Sequence, residues 1–243
     1  MRSAAFFAVW PYVALALFAA AVAGRYLLAR RRMATPTEDQ IAENRQVFQG
    51  GALWRAGVAL LVLGHLIGLL LPKGILAWNA SPTRLYELEG VAFASGLAAL
   101  LGWIGLIWRR LRSGEGSRVH DLADMAFLSI LGVALTSGLL TAVLHRWGSS
   151  WGAMILTPYA LSVLRGRPVA ELPSQLPYLA QLHVAAAFVA LAVVPWTRLG
   201  AVLVMALHRA FRAMGKPVVV AAVALEAWLR KRDPRPWIWP DED

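Results

Sequence analysis

The sequence predicts an all-α membrane protein: a polytopic bundle of five transmembrane helices, N-terminus outside and C-terminus in the cytoplasm. Three observations carry that expectation. Apolar residues make up 58% of the 243 and charged residues only 16%, with a mean hydropathy of +0.56, which is not the balance of a soluble domain. The apolar residues fall into five runs near the roughly 20 residues needed to cross a hydrocarbon layer about 30 Å thick. The lysines and arginines between those runs lie overwhelmingly on one side.

The first run, about residues 8–28, is followed by Arg30-Arg31-Arg32. A cleaved leader has its basic residues before the apolar stretch, so this one is expected to be a retained span. Residues 33–50 are polar and read as a loop. The second span is about 52–71 and stops at Pro72. A loop with Lys73, Asn79 and Pro82 leads to a third span, about 88–108, ending in Arg109-Arg110. A short basic loop precedes the fourth span, about 122–144. Residues 146–176 hold Trp147, Trp151, Pro158, Tyr159, Pro168 and Pro173. That stretch is too interrupted to span, and its aromatics suit a membrane interface. The fifth span, about 178–207, is interrupted by Pro195, which is expected to kink it. The apolar stretch 217–229 is too short to cross and reads as interfacial or partner-facing. The expected division is a membrane domain over 1–213 and a charged, amphipathic cytoplasmic tail over 214–243.

Of the 24 lysines and arginines, eighteen fall in or beside the 1–2 loop, the 3–4 loop and the C-terminal segment; the other side has Arg2, Lys73, Arg84, Arg146, Arg165 and Arg167. Positive-inside logic sets the orientation. It also accounts for the formal charge of +10 without nucleic acid as a partner. The partner the composition implies is the lipid bilayer.

The chain has no cysteine, so thiolate metal sites, iron–sulfur clusters and covalently attached haem are excluded within it, and a redox cofactor must be held by histidine or non-covalently. His65 lies in Leu61-Val62-Leu63-Gly64-His65-Leu66-Ile67-Gly68-Leu69, with no other ionisable side chain in the run. A polar group at that depth is costly unless satisfied, and such groups are functional-site candidates. Gly64 and Gly68 leave room for a flat ligand against the helix. His183, in Leu182-His183-Val184-Ala185-Ala186-Ala187, falls at a similar depth on the fifth span once the topology is fixed. Two depth-matched histidines on separate spans, flanked by small residues, are expected to be the axial ligands of one b-type haem. A plain hydrogen bond to a neighbouring helix is the competing account of either residue alone. His120 and His208 fall at cytoplasmic helix ends beside arginines. His145, beside Arg146 at the outer end of span four, is a candidate contact for a quinone headgroup. No span carries the matched broken helices of a transporter.

A set of short motifs then resembles one family. They are Trp10-Pro11-Tyr12, Arg25-Tyr26, Val62-Leu63-Gly64-His65 with Gly68, Trp78, Ala94-Ser95-Gly96 and Arg109-Arg110. Gly138-Leu139-Leu140-Thr141, Leu182-His183 and Pro195-Trp196-Thr197-Arg198-Leu199 complete the set. Their order over residues 6–213 is similar to the membrane cytochrome b (gamma) subunit of respiratory nitrate reductase. The resemblance implies a five-span subunit of the cell inner membrane, exchanging electrons between quinol or quinone and iron–sulfur and molybdopterin partner subunits. It implies that His65 and His183 are the ligands of the outer haem. The family's second ligand pair falls at Arg55 and Ala201, neither able to ligate iron, so one haem b is expected rather than two. The basic residue the family places near quinol corresponds to Arg84, with Glu87 and Glu89 beside it as possible proton acceptors. A different class of function is also open: a haem-poor membrane anchor that docks a partner enzyme without carrying electrons.

Overall fold

The computed structural model describes residues 2–30, 51–113, 119–197, 199–200 and 227–228. The chain divides into two compact units, Met1–Ala201 and Val202–Asp243. Of the second, only residues 227–228 are described, and they are helical. Every helix named below belongs to the first unit. The described residues are helical with no strand, and five helices are long and apolar enough to cross a membrane.

Helix α1 (Arg2–Arg30) is the first span. α2 (Ala52–Leu70) is the second, and Pro72 opens a separate short helix, α3 (Pro72–Trp78). α4 (Pro82–Ser113) is the third span and α5 (Val119–Leu144) the fourth. The interrupted segment folds as α6 (Gly148–Trp151), a π-turn (Gly152–Leu156), α7 (Thr157–Leu164) and α8 (Glu171–Ser174). α9 (Tyr178–Val193) is the fifth span, followed by a 3₁₀ turn (Val194–Trp196).

Three boundaries differ from the sequence expectation, each for a local reason. α4 begins at Pro82 rather than near 88, because proline is favoured at the first helical position, where its missing N–H has no intrahelical partner anyway. Its 32 residues span about 48 Å, longer than a hydrocarbon layer about 30 Å thick. The 146–176 stretch is largely helical, with Pro158 in the first turn of α7, Pro173 inside α8 and Pro168 in the coil between them. α9 ends at Val193, since Pro195 cannot continue the ladder. The expected span residues 201–207, including Ala201, the tail 214–243 apart from residues 227–228, and His208 lie outside the described residues, as does the His120 side chain.

α2 packs on α4, α4 on α5, α5 on α9, and α9 on α1, whereas α2 and α9 are not closely packed on each other. Backbone proximity holds the α2–α4 pair. A Cβ on Gly57 would stand 2.4 Å from the Ala99 backbone nitrogen, and one on Gly102 would stand 2.6 Å from the Trp54 backbone. Small residues at such crossings are how membrane helices gain dispersion contacts without a hydrophobic driving force. On the α4–α5 face, the Trp103 ring lies over Gly132 and its Nε1 donates to the Leu128 carbonyl at 2.9 Å.

Two prolines leave backbone carbonyls without their helical donors, and the 146–176 segment supplies both replacements. Pro11 cannot donate to Phe7, and the Tyr159 hydroxyl does so at 2.8 Å. Pro72 cannot donate to Gly68, and the Thr157 hydroxyl does so at 3.1 Å. Tyr159 is 2% exposed and centres a cluster with Phe7, Val163 and Ala170. Its burial, and secondarily the neighbouring Tyr12, push its pKa up, so the phenol stays protonated and keeps donating.

Toward the other end of the bundle, Asp124 of α5 is completely buried and forms an ion pair with Arg110 of α4 at 3.6 Å. Arg25 of α1 feels the same carboxylate and donates to the Trp196 carbonyl at 3.1 Å. Removing one partner of a buried pair leaves an uncompensated charge, at a cost of about 3–5 kcal/mol. Asp124→Ala is therefore expected to lower the melting temperature of the detergent-solubilised protein sharply, while Leu122→Ala, on an exposed side chain of the same helix, leaves it close to wild type.

Candidate functional site

The two histidines singled out by the sequence meet. The rings of His65 (α2) and His183 (α9) have centroids 5.9 Å apart and planes tilted by 32°. Each ring is held the same way. Nδ1 of His65 lies 2.7 Å from the Leu61 carbonyl one turn back on its own helix. Nδ1 of His183 lies 2.8 Å from the Ala134 carbonyl of α5. A carbonyl oxygen can only accept, so in both rings Nδ1 is the donor, which in the neutral imidazole leaves the lone pair on Nε2. Neither Nε2 is used in a hydrogen bond among the described residues. That arrangement, one ring nitrogen anchored to the backbone and the other left basic, is how protein scaffolds orient a metal-ligating imidazole.

Space around the rings matches that chemistry. A Cβ on Gly64 or Gly68 would meet nothing within 4 Å, so the side of α2 around His65 is open. His65 is exposed, while His183 is half-buried against α5. There a Cβ on Gly138 would stand 2.8 Å from both Cε1 and Nδ1 of His183. Gly138 is thus the residue that lets the Nδ1–Cε1 edge of the His183 ring come close to α5.

The remaining candidates are elsewhere on the bundle. Arg84 and Glu87 are exposed, one turn apart near the start of α4. The Arg84 guanidinium sits 5.5 Å over the Trp78 ring, and Trp78 Nε1 donates to the Arg84 carbonyl at 2.9 Å. His145 is half-buried just past the end of α5. Glu89 is engaged in a structural contact. It accepts from the Ser149 amide at 2.8 Å and the Ser149 hydroxyl at 2.6 Å, capping α6. Among the described residues no hydrogen bond or ion pair joins Arg84, Glu87 or His145 to each other or to the histidine pair. Arg55 lies near the start of α2, exposed.

Among the described residues no group of three or more His, Cys, Asp or Glu is placed to hold a bare metal ion. The histidine pair by itself offers two ligands, so a metal there needs the rest of its coordination from a macrocycle. Two trans imidazoles, each about 2 Å from one metal, have ring centres about 6 Å apart, against 5.9 Å here. The residues present fit a bis-histidine haem.

Comparison with known proteins assigns the family. The family profile described as nitrate reductase gamma subunit matches residues 3–220. The chain belongs to that family. It is 24% identical over 194 residues to the nitrate reductase gamma chain of Bacillus subtilis, covering 79% of this chain and 86% of that one. To the respiratory nitrate reductase 2 gamma chain of Escherichia coli it is 24% identical over 199 residues, 80% of this chain and 87% of the other. Nitrate reductase-like protein NarX of Mycobacterium tuberculosis is 25% identical over 204 residues, which is 82% of this chain and 31% of NarX.

Sequence reasoning names the histidines, but not what orients them. The Leu61 and Ala134 carbonyls carry no sequence signal. A donor such as Thr157 has one, since any proline at a helix end orphans the carbonyl four residues before it.

Proposed function

We propose that the chain is the membrane cytochrome b subunit of a nitrate reductase-like complex of the cell inner membrane. In this reading it holds a single haem b between His65 and His183, and exchanges electrons between the quinone pool and a partner oxidoreductase. The observation that carries this reading is the pair of facing imidazoles with both Nδ1 atoms anchored. When bound, the haem supplies a reversible one-electron carrier within the bilayer. His65 and His183 would hold it, Gly64 and Gly68 would leave room beside His65, and the Leu61 and Ala134 carbonyls, by binding each Nδ1, would leave each Nε2 free for the iron.

Quinol oxidation is assigned to the end of α4 that carries Arg84 and Glu87, with His145 as a further contact. Arg84 has a charge that cannot titrate away and donors that suit a quinol oxygen. Glu87, exposed one turn on, accepts a proton and passes it to water. In this orientation that face is outside the cell and the basic loops face the cytoplasm, where iron–sulfur and molybdopterin subunits dock. With Arg55 in place of a second ligand, this chain would supply one haem site, and the next electron carrier would have to come from a partner subunit.

Rapid mixing with a short-chain quinol tests the assignment. Wild-type protein is expected to show reduction of its b-type band. Arg84→Ala should keep the band but be reduced about tenfold more slowly at limiting quinol, the scale of one lost charged hydrogen bond. Unchanged kinetics in Arg84→Ala would remove that residue from the quinol site.

A further inference from the structure

We infer that α7, acting through Thr157, is the spacer that sets the distance between the two ligand helices, and that Thr157 is a positioning residue for His65. The inference rests on the haem reading above and extends it to a segment outside the site. The ligand helices α2 and α9 are not closely packed on each other, so direct contact between them does not fix the 5.9 Å ring separation. α4 and α5 join them indirectly, and α7 adds a short bridge that touches both.

On one side, α7 holds α2. Pro72 leaves the Gly68 carbonyl without a helical donor in an apolar setting, and an unsatisfied carbonyl there is costly. The Thr157 hydroxyl satisfies it at 3.1 Å from a side chain only 3% exposed. Gly68 is three residues from His65, on the same face of α2. On the other side, α7 rests on α9. The Tyr159 ring meets Phe188 edge to face at 6.5 Å, and Val184, next to His183, packs against the same cluster. Thr157 and Tyr159, two residues apart, thus contact the two ligand helices separately.

The backbone before Thr157 is set for this purpose. The π-turn Gly152–Leu156 closes with the Thr157 amide donating to the Gly152 carbonyl. One residue inserted in a helix rotates all that follows by about 100°, and such turns recur at functional sites. Here the rotation coincides with the residue whose hydroxyl reaches α2.

The test compares Thr157→Val, Thr157→Ser and Tyr159→Phe by redox titration and low-temperature EPR of the purified, haem-loaded protein. Thr157→Val keeps the volume and removes the donor, so a shifted midpoint potential and an altered low-spin signal are expected, with Thr157→Ser returning both to wild type. Tyr159→Phe keeps the ring against Phe188 and loses only the bond to Phe7 on α1, which carries no ligand; its haem signals are expected to match wild type. If Thr157→Val does not accumulate, Thr157→Cys, with a weak thiol donor, is read in its place. Wild-type signals in Thr157→Val, or an equal shift in Thr157→Ser, would overturn the inference. Wild-type protein with no b-type haem would instead overturn the reading it rests on.

Discussion

His183→Ala is expected to abolish the b-type α-band of the dithionite-reduced protein, and His65→Ala to do the same. In the proposed reading each histidine is one of two protein ligands, and no third candidate ligand lies beside the pair among the described residues. Loss of either leaves at most a five-coordinate iron, so the low-spin bis-histidine spectrum goes even where some haem is retained. The two variants are not equivalent structurally. His183 is packed on α5 and bonded across to Ala134, so its removal also frees a contact between helices. Among the described residues His65 bonds within its own helix, to Leu61, and is exposed. His65→Ala should therefore lose the spectrum while keeping close to wild-type thermal stability, and His183→Ala should lose both spectrum and some stability. A circular-dichroism melt beside the optical spectrum separates the effects.

Gly138→Ala is the second large effect, and it sets two magnitudes against each other. Alanine in a helix interior is favoured over glycine by up to about 1 kcal/mol. The added methyl, however, would stand 2.8 Å from Cε1 and Nδ1 of His183, closer than real contacts allow, so the imidazole must move. The ring is held by a hydrogen bond at Nδ1, and moving it breaks that bond or turns Nε2, the nitrogen proposed to hold haem iron, away. Perturbing the groups that orient a metal ligand typically costs about 10–100-fold in affinity. The lost bond to Ala134 offsets the helix gain, at about 1 kcal/mol each, so the expected outcome is a protein of near wild-type stability that releases haem about tenfold more readily, measured by transfer to apomyoglobin. Gly105→Ala, on α4 where nothing lies within 4 Å of the new carbon, should leave haem release unchanged.

Much of this architecture is legible in residue patterns. The five apolar runs reappear as five candidate spans, because backbone satisfaction leaves a membrane-crossing chain little choice but helix. The histidine pair is legible for a related reason: an imidazole with no ionisable neighbour in an apolar run is unusual enough to require an account. What cannot be read from the sequence is relational. The apolar pattern around His183 gives no hint that Ala134 is its anchor, since a carbonyl on another helix is set by packing. Glu89, grouped with Glu87 by position, caps α6 through Ser149, a contact across 60 residues. Asp124 is near Arg118 and His120 in sequence, yet it pairs with Arg110 on the preceding span. The 146–176 stretch is legible as non-spanning, but its role in capping two proline-orphaned carbonyls emerges only when Tyr159 meets Phe7 and Thr157 meets Gly68.

The central claim is that one haem b lies between His65 and His183. A pyridine haemochrome assay, set against protein quantified by amino-acid analysis, tests it most directly on the purified wild-type chain and on His65→Ala and His183→Ala. The account predicts one b haem per wild-type chain, with the bis-histidine spectrum lost in both variants. Two haems per chain, or an undiminished low-spin spectrum in either variant, would contradict it.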